Sequence, residues 1–93
     1  MKRALLPSRA FLRDARRVAR RSPELATELR SALILLEEDA FHPALRAHKL
    51  KGKLAGSWAR AVAYDLRIIF AFVEHEGAEA VLLEAIGTHD EVY

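Results

Sequence analysis

Residues 66–75 read "LRIIFAFVEH". The run is dense in β-branched and aromatic side chains and apolar at both parities, which describes a strand covered on both faces. The residues before it, 57–64 "SWARAVAY", alternate and form a second strand. After it, "EGAE" at 76–79 reads as a turn. Residues 80–86, "AVLLEAI", then form a third strand, closed by Gly87.

Upstream the period changes to that of a helix. Ser8 is positioned as an N-cap, and Phe11, Leu12, Ala15, Val18 and Ala19 recur at helical spacing. Arg9, Arg13, Arg16, Arg17 and Arg20 occupy the remaining faces. "SPE" at 22–24 starts another helix, with Ser22 as cap, Pro23 at the first helical position and Glu24 at the positive end of the dipole. Its apolar stripe is Leu25, Leu29, Ala32, Leu33 and Leu36, and "EEDAFHP" ends it, with Pro43 as the stop. Residues 2–6, "KRALL", suit a short first strand that stops at Pro7. The order is β-α-α-β-β-β, an α+β fold with a helical hairpin packed on a small, mostly antiparallel sheet. Leu29, Leu33, Leu36, Val62, Ile68, Phe70 and Leu82 are expected to share one core.

The 93 residues suffice for a single domain, 1–93. Apolar residues make up 52% and charged residues 30%, which excludes a disordered chain. The absence of cysteine excludes a disulfide framework and a cysteine metal site. "MKRALLPSRAF" lacks the long apolar run of a signal peptide, and no stretch reaches membrane-spanning length, so a cytoplasmic location away from membranes is expected.

The net charge of +2 hides an uneven distribution. Residues 1–21 hold eight Lys/Arg against Asp14 alone; residues 46–67 hold six against Asp65 alone; residues 74–93 hold six acids and no Lys or Arg. Basic surface of this kind attracts nucleic acid or an acidic protein. Its densest part is the connector "HKLKGKLAGSW" at 48–58. "KGKLAG" is not a Walker loop, because no GK[ST] opens a helix. No Ser or Cys nucleophile has a convincing base, and the histidine spacing makes a weak metal case.

His48, Lys49, Lys51 and Lys53 precede the first long strand, Arg60 lies on it, Asp65 sits in the turn, and Arg67 begins the next strand. His89, Asp90 and Tyr93 follow the last. An antiparallel meander can bring these positions to one end and one face of the sheet. The set suits metal-free RNA cleavage, in which the substrate's 2′-hydroxyl is the nucleophile. Imidazoles can move protons near neutral pH, Arg and Lys can neutralise the phosphate, and an aromatic ring can stack on a base. Plainer readings stand beside these. His48 can line a loop, His89 can cap a strand end, Asp65 can fix the turn, and Arg60 and Arg67 can be snorkelling edge residues. Trp58 reads as core before base platform, and the arginine stripe of the first helix as a solvated or partner-facing surface.

"HKLKGKLAGSWARAVAYDLRIIF" followed by a strand and "IGTHDEVY" resembles the RelE/ParE toxin superfamily of type II toxin–antitoxin pairs, close to its YafQ-like branch. The resemblance covers essentially the whole chain, and its specific part is residues 48–93. It implies a ribosome-dependent mRNA endoribonuclease without a metal or other cofactor, and it implies as partners the ribosome, mRNA and a cognate antitoxin bound in a hetero-oligomer. By position it gives His48, Asp65, His89 and Tyr93 as site residues. Arg60 and Arg67 fall where RelE-like toxins carry strand arginines. The sequence departs from the YafQ-like pattern at Ala63, near a usual histidine, and at Ala85, near a usual arginine. A ParE-like inhibitor of DNA gyrase and a catalytically weak member acting through antitoxin binding are the alternatives.

Overall fold

The structure is a computed structural model, and it describes residues 2–42, 47–50, 56–63 and 65–88. Its elements in chain order are β1 (Leu5–Pro7), α1 (Arg9–Arg21), α2 (Pro23–Glu38), β2 (His48–Lys49), β3 (Trp58–Ala63), β4 (Leu66–His75) and β5 (Ala78–Gly87). The caps are where the sequence puts them. The Ser8 hydroxyl accepts the Phe11 N–H at 3.0 Å, and the Ser22 hydroxyl accepts the Leu25 N–H at 3.2 Å. Ser22 ends α1 and caps α2, so the helical hairpin turns on one extended residue. Pro43, the expected stop, lies outside the described residues; α2 ends earlier, at Glu38, with Asp39 as its C-cap.

The sheet has the order β1-β5-β4-β3-β2, with β1 parallel to β5 and every other pair antiparallel. It has one strand more than the sequence suggested. Inside the basic connector, His48 pairs with Ala59 and Lys49 with Trp58. The β4–β5 turn is also tighter than "EGAE". Glu76 and Gly77 alone form it, with φ of 52° and 80°, the two positive values of a type I′ hairpin.

Alternation along β4 sorts the sheet into two faces. Leu66, Ile68 and Phe70 join Phe11, Val18, Leu29, Ala32 and Leu36 in the core under the helices. The opposite parity, Arg67, Ile69 and Ala71, belongs to the other, open face. One core expectation is corrected here. Leu82 pairs with Ala71 and so belongs to the open face, while Val81, Leu83 and Ile86 fill the core. The cause is an irregularity of β5, where Ile69 meets Ala85 and Phe70 meets Leu83, leaving Glu84 as an extra residue that shifts parity. Leu33 and Val62 pack on the core but are only partly buried.

Beyond Pro7, β1 no longer covers β5, and Ser8 and Asp14 take over its hydrogen bonding. The Ser8 N–H donates to the Leu83 carbonyl at 2.9 Å, and the Ser8 hydroxyl donates to the Glu84 carbonyl at 3.0 Å. The buried Asp14 carboxylate accepts the Ile86 N–H at 3.1 Å. The first helix is thereby docked on the strand that leads to the C-terminal "GTH".

Candidate nucleic-acid interface and active site

On the open face, the register sets two neighbouring rows. One is His48, Ala59, Ile69, Ala85; the other is Ala61, Arg67, Gly87. His48 and Arg67 are thus two strands and two residues apart, about 12 Å between Cα atoms from standard sheet spacings. Asp65 is exposed in the β3–β4 turn, two residues before Arg67. Gly87, paired with Arg67, is followed by Thr88, after which the chain continues to 89. The meander therefore gathers the backbone of His48, Asp65 and Arg67 and the start of the C-terminal segment toward one region. The side chain of His48, and the residues Lys51, Lys53, His89 and Tyr93, lie outside what the structure describes.

Arg67 has two of the smallest side chains as row neighbours, Ala61 and Gly87. Its Nη1 has no exposed surface and no hydrogen-bond partner among the described residues. A cationic donor left so is costly, and a bound anion would satisfy it. Ala85, where the resemblance has an arginine, lies in the adjacent row, so Arg67 is the arginine that the described part of this face retains.

Arg60 is not beside Arg67. It pairs with Ile68 and therefore belongs to the helix-covered face, where it is buried at 8% exposure. Burial pulls its guanidinium below the ordinary arginine value, and nearby Glu28 on α2 opposes that pull. The expectation that the meander brings Arg60 and Arg67 to one face of the sheet is corrected. One lies under the helices, the other on the open face, because the strand register gives the two residues opposite parity.

Trp58 also belongs to the helix side. Its ring meets Phe72 edge-on at 5.6 Å and Phe41 at 5.5 Å, and the Lys49 ammonium lies 5.5 Å above it. Phe41 stacks on Phe72 at 5.2 Å, and the Arg3 guanidinium covers both rings. The tryptophan is thus part of an aromatic cluster, as its core reading had it, and Lys49 is anchored by a cation–π contact. Sequence reasoning missed two polar links that shape the site. One is Asp14 on Ile86, a lone acid among arginines whose partner is a backbone N–H. The other is Ser57, whose hydroxyl donates to Glu84 Oε1 at 2.7 Å and ties β3 to β5 across β4.

A family model described as the bacterial toxin of a type II toxin–antitoxin system, YafQ, matches residues 3–93. The chain belongs to the YafQ family. No curated protein sequence matches it. Among solved structures, this YafQ-family chain is similar to YafQ from E. coli, at 18% identity and a TM-score of 0.78 over 99% of each chain. It is similar to a chain of the E. coli DinJ–YafQ toxin–antitoxin complex, at 21% identity and a TM-score of 0.77 over 100% of this chain and 99% of that one. A YoeB/ParE toxin from Agrobacterium tumefaciens is similar at 15% identity and a TM-score of 0.79, over 92% of this chain and 98% of that one. At such identities the likeness is one of fold. This YafQ-family member is a toxin of a type II toxin–antitoxin system, and its helical hairpin on a mixed sheet is the fold of those toxins.

Proposed function

We propose that the chain is a ribosome-dependent mRNA endoribonuclease whose site is the open sheet face around Arg67. The observation that carries this is the Arg67 guanidinium, with Nη1 buried and without a partner among the described residues, on the face that also receives His48 and the chain leading to His89. In the proposed reaction, the 2′-oxygen of the substrate attacks the adjacent phosphorus while a base takes its proton. The P–O5′ bond breaks, and an acid protonates the leaving 5′-oxygen. The products are a 2′,3′-cyclic phosphate, which water can open to a 3′-phosphate, and a 5′-hydroxyl. His48 and His89 move the protons, with Asp65 orienting one of them or taking part directly. Arg67 holds the growing charge on the non-bridging oxygens. Tyr93 stacks on a base, and Lys51 and Lys53 track the backbone, whereas Lys49, held over Trp58 on the helix side, has no contact role in this scheme. Arg60 has no contact role in this scheme and supports the β3–α2 packing. A cognate antitoxin, the kind of partner seen in the E. coli DinJ–YafQ complex, would restrain the activity in the cytoplasm.

The test is primer extension on mRNA in a purified translation system, with and without ribosomes. Cuts that appear with ribosomes, and slow about 10²–10⁴-fold in His48→Ala and His89→Ala, support the scheme. Folded, ribosome-bound histidine variants cutting at the wild-type rate would remove the histidines from it. No cuts at all, with inhibition of gyrase supercoiling, would replace it by the ParE-like function.

A further inference from the structure

The strand that carries His48 is the least secured of the sheet. β2 has two residues and lies at the edge. Its pairing with β3 sets His48 opposite Ala59 and Lys49 opposite Trp58, and the Leu50 N–H donates to the Ser57 carbonyl at 2.9 Å. So short a pairing is marginal by itself. Immediately before Ser57, the exposed Gly56 has φ of +93°, so the chain enters β3 through a left-handed residue that has no side chain to pack.

Ser57 is braced from two strands away. Its hydroxyl donates to Glu84 Oε1 at 2.7 Å, the length of a charge-assisted hydrogen bond. The backbones of β3 and β5 are about 10 Å apart by standard spacing, and Glu84 spans the gap because it is the extra residue of β5. Leu83, opposite Phe70, is in the core; Ala85, opposite Ile69, is on the open face; Glu84 stands between them. Ser57 has the parity of Ala59 and Ala61, so the carboxylate bonded to it lies over the open face, the face of Arg67. By register, the β4 residue under this bond is Ala71, whose methyl leaves the path clear. The backbone of Glu84 is fixed from the opposite side, where its carbonyl accepts the Ser8 hydroxyl at 3.0 Å and the Leu83 carbonyl accepts the Ser8 N–H at 2.9 Å. One line of hydrogen bonds therefore runs from the cap of α1 through β5 and β3 to Leu50, and it joins the two residues, Leu50 and Ser57, that flank Lys51 and Lys53 in the sequence.

We propose that Glu84 is a positioning residue that acts through Ser57, holding β2 and the ends of the basic connector in place beside the Arg67 site. The role rests on the reading of that face as the RNA site. Glu84 makes and breaks no bond in the cleavage reaction. What the position requires is an acceptor oxygen aimed at the Ser57 hydroxyl, and an amide oxygen supplies one as a carboxylate does.

Two readouts on the purified full chain test this: hydrogen exchange of the Leu50 amide by NMR, and single-turnover cutting of ribosome-bound mRNA across pH. Glu84→Ala and Ser57→Ala should each speed Leu50 exchange by about tenfold, the scale of one lost hydrogen bond to a charged group at a half-exposed site. Each should slow cutting at saturating ribosomes by a similar factor, with the shape of the pH profile unchanged. The double variant should be no worse than either single one, because both remove the same bond. Glu84→Gln and Ser57→Thr keep an acceptor and a donor, and should stay within about threefold of wild type in both readouts. Ser57→Ala should keep the wild-type urea midpoint, since β2 opens without the core, and it removes the same bond should Glu84→Ala fail to fold. Wild-type Leu50 exchange in the alanine variants would overturn the brace. Fast exchange with wild-type cutting would overturn the positioning role. Glu84→Gln as slow as Glu84→Ala, with Leu50 still protected and the pH profile altered, would overturn it in favour of proton transfer by the carboxylate. Wild-type protein that does not cut would bring down the nuclease reading separately, because exchange at Leu50 decides the brace without cleavage.

Discussion

Replacing Asp14 with alanine removes the acceptor that completes the free edge of β5. Ile86 is 1% exposed, so its N–H has no access to water once the carboxylate is gone. An unsatisfied buried donor costs about 1–3 kcal/mol. The pair with Arg17, 3.6 Å away on a half-exposed side chain, adds at most about 1 kcal/mol because solvent screens it. The loss is therefore about 1–4 kcal/mol, a large share of the roughly 5–15 kcal/mol that holds a small domain together. Urea unfolding followed by circular dichroism reads it as a fall in midpoint of about 1–3 M for a small protein. Asp14→Asn keeps an acceptor oxygen and loses only the charge, so it should fall between wild type and Asp14→Ala. If Asp14→Ala unfolds within about 0.5 kcal/mol of wild type, the scale of a neutral surface change, the edge-completion argument is wrong. If Asn is as harmful as Ala, charge and not the hydrogen bond holds α1 to β5.

Leu36 is 0% exposed in the core, and Leu36→Ala should cost about 2–5 kcal/mol by chemical denaturation, with the partly buried Leu33→Ala costing less. Gly77 has φ +80°, and a Cβ added there would meet nothing within 4 Å, so Gly77→Ala should cost about 1–2 kcal/mol from backbone strain alone, with no change in core packing by NMR. Arg67→Ala should abolish ribosome-dependent cutting more fully than Arg67→Lys, while the stability of Arg67→Ala rises or holds, because alanine no longer buries a donor that has no partner among the described residues; a fall in stability with intact cutting would make Arg67 a structural residue.

Much of the fold was legible because its signals are local. Ser8, Ser22 and Pro23 punctuate the helices through their own backbone neighbours, and "LRIIFAFVEH" matches β4 residue for residue. What was not legible depends on pairing between distant segments. The two-residue β2 exists only because His48 and Lys49 meet β3, and no pattern of two residues can announce that. The extra residue at Glu84 inverts the parity of β5, so Leu82 and its neighbours exchanged faces. Register likewise separated Arg60 from Arg67, which the sequence could only place on adjacent strands. The candidate site was legible as a set of residue types, and its geometric signature, an Arg67 nitrogen without a partner among the described residues, required three strands to be seen together.

The pairing of β1 with β5 joins Leu5 to Val81, and the Ser8 hydroxyl bond to Glu84 spans 76 residues. Closing a loop of that length carries a length-dependent entropy of about 4 kcal/mol. The β4–β5 hairpin, by contrast, closes over two residues. Folding order follows: the hairpin and the helices assemble through short-range contacts, and the amino-terminal strand locks on last. A nascent chain must therefore deliver its final strand before its first can settle. Weakening that lock, as with Ser8→Ala, should hasten unfolding while leaving the refolding rate unchanged in stopped-flow kinetics.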